Sequence, residues 1–216
     1  MDIGYIVTVL GVILVSMMLH ELMHGFVALK LGDETARLLG RLTFNPLKHV
    51  DPIMTIGLPL LIVITNALTG ASTPVFGGAK PVPFNPANIR HDEWGVALMA
   101  IAGPLTNFVI AFVCFATLAF SNIPTETVFG MILKTAVWVN LGFFAFNILP
   151  IPPLDGSRFM YALAPDFARK AMDIIEQYGV FLVFALVMVF NDIISMYMMT
   201  VINGCIQLFS RIIGIV

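Results

Sequence analysis

Residues 3–19 carry no charged side chain, and the five residues that follow without a break read His-Glu-Leu-Met-His, from His20 to His24. Taken as one helix, residues 3–31 would be about 43 Å long, enough to span a hydrocarbon core of roughly 30 Å. Three more long apolar segments follow at 94–120, 128–149 and 180–201, the first with Gly103-Pro104 as an expected kink. A shorter one, 53–68, contains Pro59 and is short for a crossing. The stretch 70–86, GASTPVFGGAKPVPFNP, holds Pro74, Pro81, Pro83 and Pro86, which forbid a regular helix. Looped or extended backbone at membrane depth is tolerated only against protein or water.

Composition decides what solvent such a chain requires. Of its 216 residues 59% are hydrophobic and 11% charged, with a mean hydropathy of +0.95. A soluble domain is about 45–50% apolar and roughly 25% charged, so this chain cannot cover its apolar surface with its own charges. The expectation is an all-α polytopic membrane protein in one domain, 1–216, with a core over 3–160 and a C-terminal membrane segment within 178–216. About 4–5 transmembrane helices are expected, with a short apolar dip at 53–68 and a re-entrant or extended stretch at 70–86. A net charge of −2 offers nothing to nucleic acid. Cys114 and Cys205 read as small buried hydrophobes rather than as a disulfide or thiolate site. No basic n-region or cleavage site marks a leader, so the N-terminus reads as retained.

Lysine and arginine concentrate in the connections 32–52, 71–93 and 150–177, while 121–127 holds none. The positive-inside rule places those three connections in the cytoplasm. The first segment then runs inward, 94–120 returns, 128–149 runs inward again, and 53–70 crosses an even number of times or only dips. A plasma-membrane, multi-pass protein is the expectation.

His20 and His24, four residues apart, share one helix face one turn apart and can hold one ion. Glu21 lies on an adjacent face, within reach of a water on the same metal, whose pKa zinc lowers to about 7. H-E-x-x-H also arises by chance on solvated helices, but an ionisable group in a membrane helix costs at least about 2.5–3.5 kcal/mol to insert and is a functional site by default. Lys30 follows His20 by about 15 Å of helix, which places the metal within the membrane, nearer the cytoplasmic side. Two histidines leave a catalytic zinc one protein ligand short. His49, His91 and the acidic residues are open to the role. Side of the membrane favours Asp155, although Asp155-Gly156 reads equally well as an ordinary turn. His49 reads as a solvated loop residue and His91 as a helix-entry residue.

Four motifs in order carry a resemblance. HELMH at 20–24, GAKPVPFNP at 78–86, AGPLTNFVIA at 102–111 and NILPIPPLDG at 147–156 resemble stretches of the site-2 protease family of intramembrane zinc metalloproteases, and NPLKHVDP at 45–52 is similar to the connection of its small prokaryotic members, which lack PDZ or CBS domains. The resemblance implies one Zn2+ per chain on His20, His24 and Asp155, with Glu21 as general base. It implies that Asn147 helps position substrate or the developing oxyanion. Asn140 and Asn107 read instead as interhelical hydrogen-bonding residues, and Lys134 as a residue whose ammonium reaches the interface.

The implied activity is hydrolysis of peptide bonds in or near transmembrane segments of membrane-protein substrates, within the lipid bilayer. Extended backbone around Gly78, Lys80, Pro81 and Pro83 is the expected substrate-binding element, by strand addition to an unwound helix. Many family members have a membrane segment ahead of this motif, whereas 19 residues precede His20; the gate is then expected from the last segment or from 70–86. The rival reading is a membrane metal carrier, which uses the same ligands without a general base.

Overall fold

The computed structural model describes residues 3–70, 80–121 and 123–215. Among these residues every regular element is helical. Gly78, with the rest of 71–79, lies outside them.

The uncharged run at the start folds as α1, Ile3–Lys30, with Lys30 in its last turn beside the negative end of the helix dipole. Gly32, at φ +110°, then turns the chain in a conformation open to glycine and strained for other residues. The polar connection holds a short helix α2, Thr35–Leu38, and a 3-10 turn, Pro46–His49, capped by the Asn45 side chain on the Leu47 N–H. A π-helical stretch, Pro52–Gly57, feeds α3, Leu58–Thr69. Pro59 falls in the first turn of α3, where a missing N–H costs nothing. At about 18 Å, α3 is too short to cross, in keeping with an apolar dip. Lys80 to Asn85 follow as irregular backbone.

α4, Asp92–Ser121, begins with two acidic residues at the positive end of its dipole and continues through Gly103-Pro104. α5, Val128–Asn147, is capped by the Thr127 hydroxyl on the Gly130 N–H. α6, Gly156–Leu163, α7, Asp166–Gln177, and α8, Gly179–Val189, precede α9, Asn191–Ile213.

Among the described residues, four helices are long and apolar enough to cross a membrane: Val7–Lys30, Asp92–Ser121, Val128–Asn147 and Asn191–Ile213. The last of these corrects the sequence reading, which placed the final long segment at 180–201. The chain breaks at Phe190 (φ −114°, ψ 27°), and α9 starts with Asp192 in its first turn. The Asn191-Asp192 pair inside an otherwise apolar run favours a helix start over a helix interior.

α1, α4 and α5 pack together, and α9 lies against α5 and α4. Ile13 and Met17 of α1, Phe143 and Phe146 of α5, and Met198, Ile202 and Phe209 of α9 meet in one buried cluster with Leu58 and Ile62 of α3. The Phe209 ring sits 5.0 to 5.7 Å from those of Phe108, Phe112 and Phe115 on α4. On the face of α4 turned away from the buried Ala100, Asn107 and Ala111, residues Leu98, Ile101, Leu105, Val109 and Val113 are exposed at three- and four-residue spacing. Such a stripe is suited to lipid and not to water. Cys114 and Cys205 are free thiols, half-buried and buried.

Candidate metal centre and active site

His20 and His24 project from one face of α1 and are 7% and 9% exposed. Their Nε2 atoms lie 3.0 Å apart, with the rings nearly perpendicular at 85°. Asp155 comes from the far end of the chain, at the entrance to α6. Its Oδ2 is 3.1 Å from His20 Nε2 and 3.3 Å from His24 Nε2. Gly156 permits this approach, because a Cβ there would stand 2.3 Å from the Ile148 carbonyl oxygen. Residue pattern alone left Asp155 between ligand and turn, and the resemblance implied a ligand; its carboxylate lies beside the histidine pair.

Three observations test whether this donor set fits zinc. Ligands at 2.0–2.1 Å from a tetrahedral ion stand about 3.3 Å from one another, close to the spacing of these three atoms. His24 Nδ1 donates to the Met99 carbonyl at 2.9 Å, so its Nε2 presents a lone pair; Asp155 Oδ2 is buried and receives no hydrogen bond. Lone pairs converging in a buried place call for a cation. Finally, a Cβ on Gly103 of α4 would lie 2.4 Å from His24 Nε2 and 2.6 Å from His20 Nε2. Glycine keeps open the space directly beside the two ligand atoms. The residues fit a zinc ion.

Glu21 completes the group: donor atoms of His20, Glu21 and His24 lie within 4.8 Å of one another. Its Oε2 accepts the Val82 backbone N–H at 2.8 Å. The chain holds Val82 there from the polar connection after α1. The Lys80 N–H donates to the His49 carbonyl at 2.8 Å, and Arg41 donates to the Lys80 and Pro81 carbonyls at 3.1 and 3.4 Å. Asp33 accepts from the Asn85 N–H and the Asn88 amide at 2.8 and 3.1 Å. His49 is thus not the solvated loop residue its polar neighbourhood suggests. It is 2% exposed, and its Nε2 donates to the Thr43 carbonyl at 2.9 Å.

A cavity of about 520 Å³ opens beside His20, Glu21, Asp155 and Asn147 and is also lined by Tyr178 and Phe181. A second, of about 400 Å³, lies beside His24, Val82, Pro83 and Arg158; Glu21, Pro81 and Asp155 border both. Asn147 therefore faces the space next to the ligands, while its amide donates to the Phe143 carbonyl at 3.0 Å. Lys80 is exposed and borders neither cavity.

Sequence reasoning passed over three contributors: Gly103, the Met99 carbonyl and the Val82 N–H. Asn107 does more than join helices, since its Oδ1 lies 2.5 Å from His20 Nδ1. Asn140 keeps its interhelical role, accepting from Asn107 at 2.8 Å and donating to the Ser16 hydroxyl at 2.9 Å.

Comparison with known proteins adds an independent line. The family model for Peptidase family M50 matches residues 122–190, a span that holds Asn147 and Asp155. The chain is 38% identical over 189 residues to the "Putative zinc metalloprotease YwhC" of Bacillus subtilis strain 168, covering 82% of this chain and 78% of that one. It is 31% identical over 185 residues to the "Putative zinc metalloprotease Rip2" of Mycolicibacterium smegmatis, covering 85% and 68%. It is 30% identical over 198 residues to the Rip2 of Mycobacterium tuberculosis, covering 86% and 67%. No solved structure matches. The carrier reading finds no support among these matches.

Proposed function

The chain belongs to peptidase family M50, and on that premise we propose how its residues carry out intramembrane zinc-dependent proteolysis. The observation that carries the reading is the convergence of His20 Nε2, His24 Nε2 and Asp155 Oδ2 within 3.3 Å, with the Glu21 carboxylate beside them. These three residues would hold one zinc ion per chain. When bound, zinc supplies a water acidified to a pKa of about 7 and a Lewis acid for the scissile carbonyl.

The remaining work falls to the protein. Glu21, fixed by the Val82 N–H, takes the proton of the attacking water and returns it to the leaving amine. The Asn147 amide faces the same cavity and is placed to orient substrate or meet the developing oxyanion, a contribution of about 2.7–4 kcal/mol in a preorganised site. Apolar walls, including Met17, Phe143 and Phe181, limit bulk water around the reacting groups.

The substrate is a transmembrane protein or peptide whose helix is locally unwound. Strand pairing with the segment at 80–83 would run through its carbonyls. Pro81 and Pro83 have no N–H, and the N–H groups of Lys80 and Val82 are taken by His49 and Glu21. Replacing Pro81 and Pro83 by Ala without any effect on cleavage would sink this part of the reading. We place the protein in the plasma membrane, and the Lys/Arg distribution supports an orientation with the site nearer the cytoplasmic face.

The test is cleavage of a single-pass membrane reporter by the purified full chain in proteoliposomes. Cleavage should stop with a zinc chelator and return on adding zinc. Cleavage that persists in chelator after zinc has been shown to leave would refute the reading.

A further inference from the structure

Asn107 and Asn140 are 0% exposed in the helical core, joined to Ser16 and His20. Membrane-embedded polar groups without water must satisfy one another, and apolar side chains would fill the same space at less cost. Their presence calls for a task, and the hydrogen-bond directions supply one.

The chain of bonds has a fixed direction. Asn140 donates to the Ala136 backbone carbonyl at 2.8 Å as well as to the Ser16 hydroxyl. A carbonyl can only accept, so the end of the Asn140 side chain at Ala136 is its NH2 and the other end is its oxygen. That oxygen accepts Asn107 Nδ2 at 2.8 Å, and Asn107 Nδ2 also approaches the Ser16 carbonyl at 3.5 Å. A flipped Asn107 would set its oxygen against the Asn140 oxygen and the Ser16 carbonyl. The Asn107 oxygen therefore points at His20 Nδ1, 2.5 Å away, and Nδ1 must carry the proton. His24 reaches the same state more simply, through the Met99 carbonyl.

We propose that Asn107, locked by Asn140 and by the carbonyls of Ala136 and Ser16, is a positioning residue that fixes His20 as the Nδ1–H tautomer and turns its Nε2 lone pair towards the metal. The proposal rests on the zinc reading above and extends it to residues on α4 and α5 that touch no substrate. Partners of this kind set ring orientation, and their loss typically weakens metal binding 10- to 100-fold.

The experiment uses the purified full chain in detergent. Histidine 15N NMR of the metal-free protein reports the tautomer, and competition with a fluorescent zinc chelator reports affinity. In the wild type, the resonance lost in His20→Ala should be that of an Nδ1–H ring. Asn107→Leu should mix the tautomers and weaken zinc binding roughly 10- to 100-fold, whereas Asn107→Asp, which keeps an acceptor, should weaken it less. A packing role predicts the reverse order, because Leu is the better apolar filler. Should Asn107→Leu not fold, Asn140→Leu releases the lock without touching the ligands and should weaken zinc binding roughly 3- to 10-fold. An Nε2–H His20 in the wild type, or wild-type affinity in both Leu variants, would overturn the proposal. A wild type that binds no zinc but shows the Nδ1–H ring would instead count against the zinc reading alone.

Discussion

The Val82 backbone N–H donates to Glu21 Oε2 at 2.8 Å across 61 positions of sequence. Val82 is the sole N–H donor between Pro81 and Pro83, so that donor is committed to the carboxylate that neighbours His20 and His24. A hydrogen bond to a charged group is worth about 1.5–3 kcal/mol. Val82→Pro removes the donor and leaves the ligands untouched. Cleavage should fall roughly 10- to 100-fold while zinc stoichiometry is unchanged. Val82→Ala keeps the N–H and serves as the control. Equal cleavage by the Pro and Ala variants would show that Glu21 needs no such strut.

Gly103 offers a sharper separation of folding from metal binding. A Cβ at this position would stand 2.4 Å from His24 Nε2 and 2.6 Å from His20 Nε2. Yet Gly→Ala within a helix ordinarily favours the helix by about 0.8–1 kcal/mol. Gly103→Ala should therefore retain its helicity in circular dichroism and lose zinc by elemental analysis. Full zinc occupancy in this variant would mean that the ion does not occupy the space beside Gly103.

Asp33 ties the connection after α1 to the segment that carries Val82. Burial pushes its pKa up, but hydrogen bonds from the Thr35 hydroxyl, the Asn85 N–H and the Asn88 amide more than offset this, and its carboxyl stays below the usual range. A lowered folded pKa means that the unfolded chain binds more protons at acid pH. The stabilisation is then present above the ordinary carboxylate value of about 3.9 and is lost as pH falls through the lower folded value. Wild-type thermal stability should drop in that acid window. Asp33→Asn should melt lower at neutral pH and lose much of the acid dependence. An Asp33→Asn curve that overlays the wild type at every pH would contradict the clamp.

The parts of this site differed in how far they could be read in advance, for identifiable reasons. His20 and His24 were legible because helical spacing alone brings them to one face. Asp155 required the side of the membrane and the family resemblance, since 131 positions separate it from His24 and no local period links them. Asn107 looked like any interhelical Asn, because which ring it meets depends on the axial register of α4 against α1. The Val82 N–H has no side-chain signature, though a lone donor between two prolines could have flagged it. His49 was misplaced because its contacts, its carbonyl with the distant Lys80 N–H and its ring with the Thr43 carbonyl, have no signal in its polar sequence neighbours. Three of the four long apolar helices followed from apolar length; the last was set too early, at 180–201, because apolar residues continue on both sides of Asn191-Asp192 and hide the break at Phe190.

Hydrolysis with Glu21 as base on a zinc held by His20, His24 and Asp155 is tested by Glu21→Gln, assayed for cleavage of a transmembrane reporter and for bound zinc on the same purified sample. The expected result is wild-type zinc content with cleavage reduced to background. A variant that holds its zinc and cleaves at the wild-type rate would contradict it.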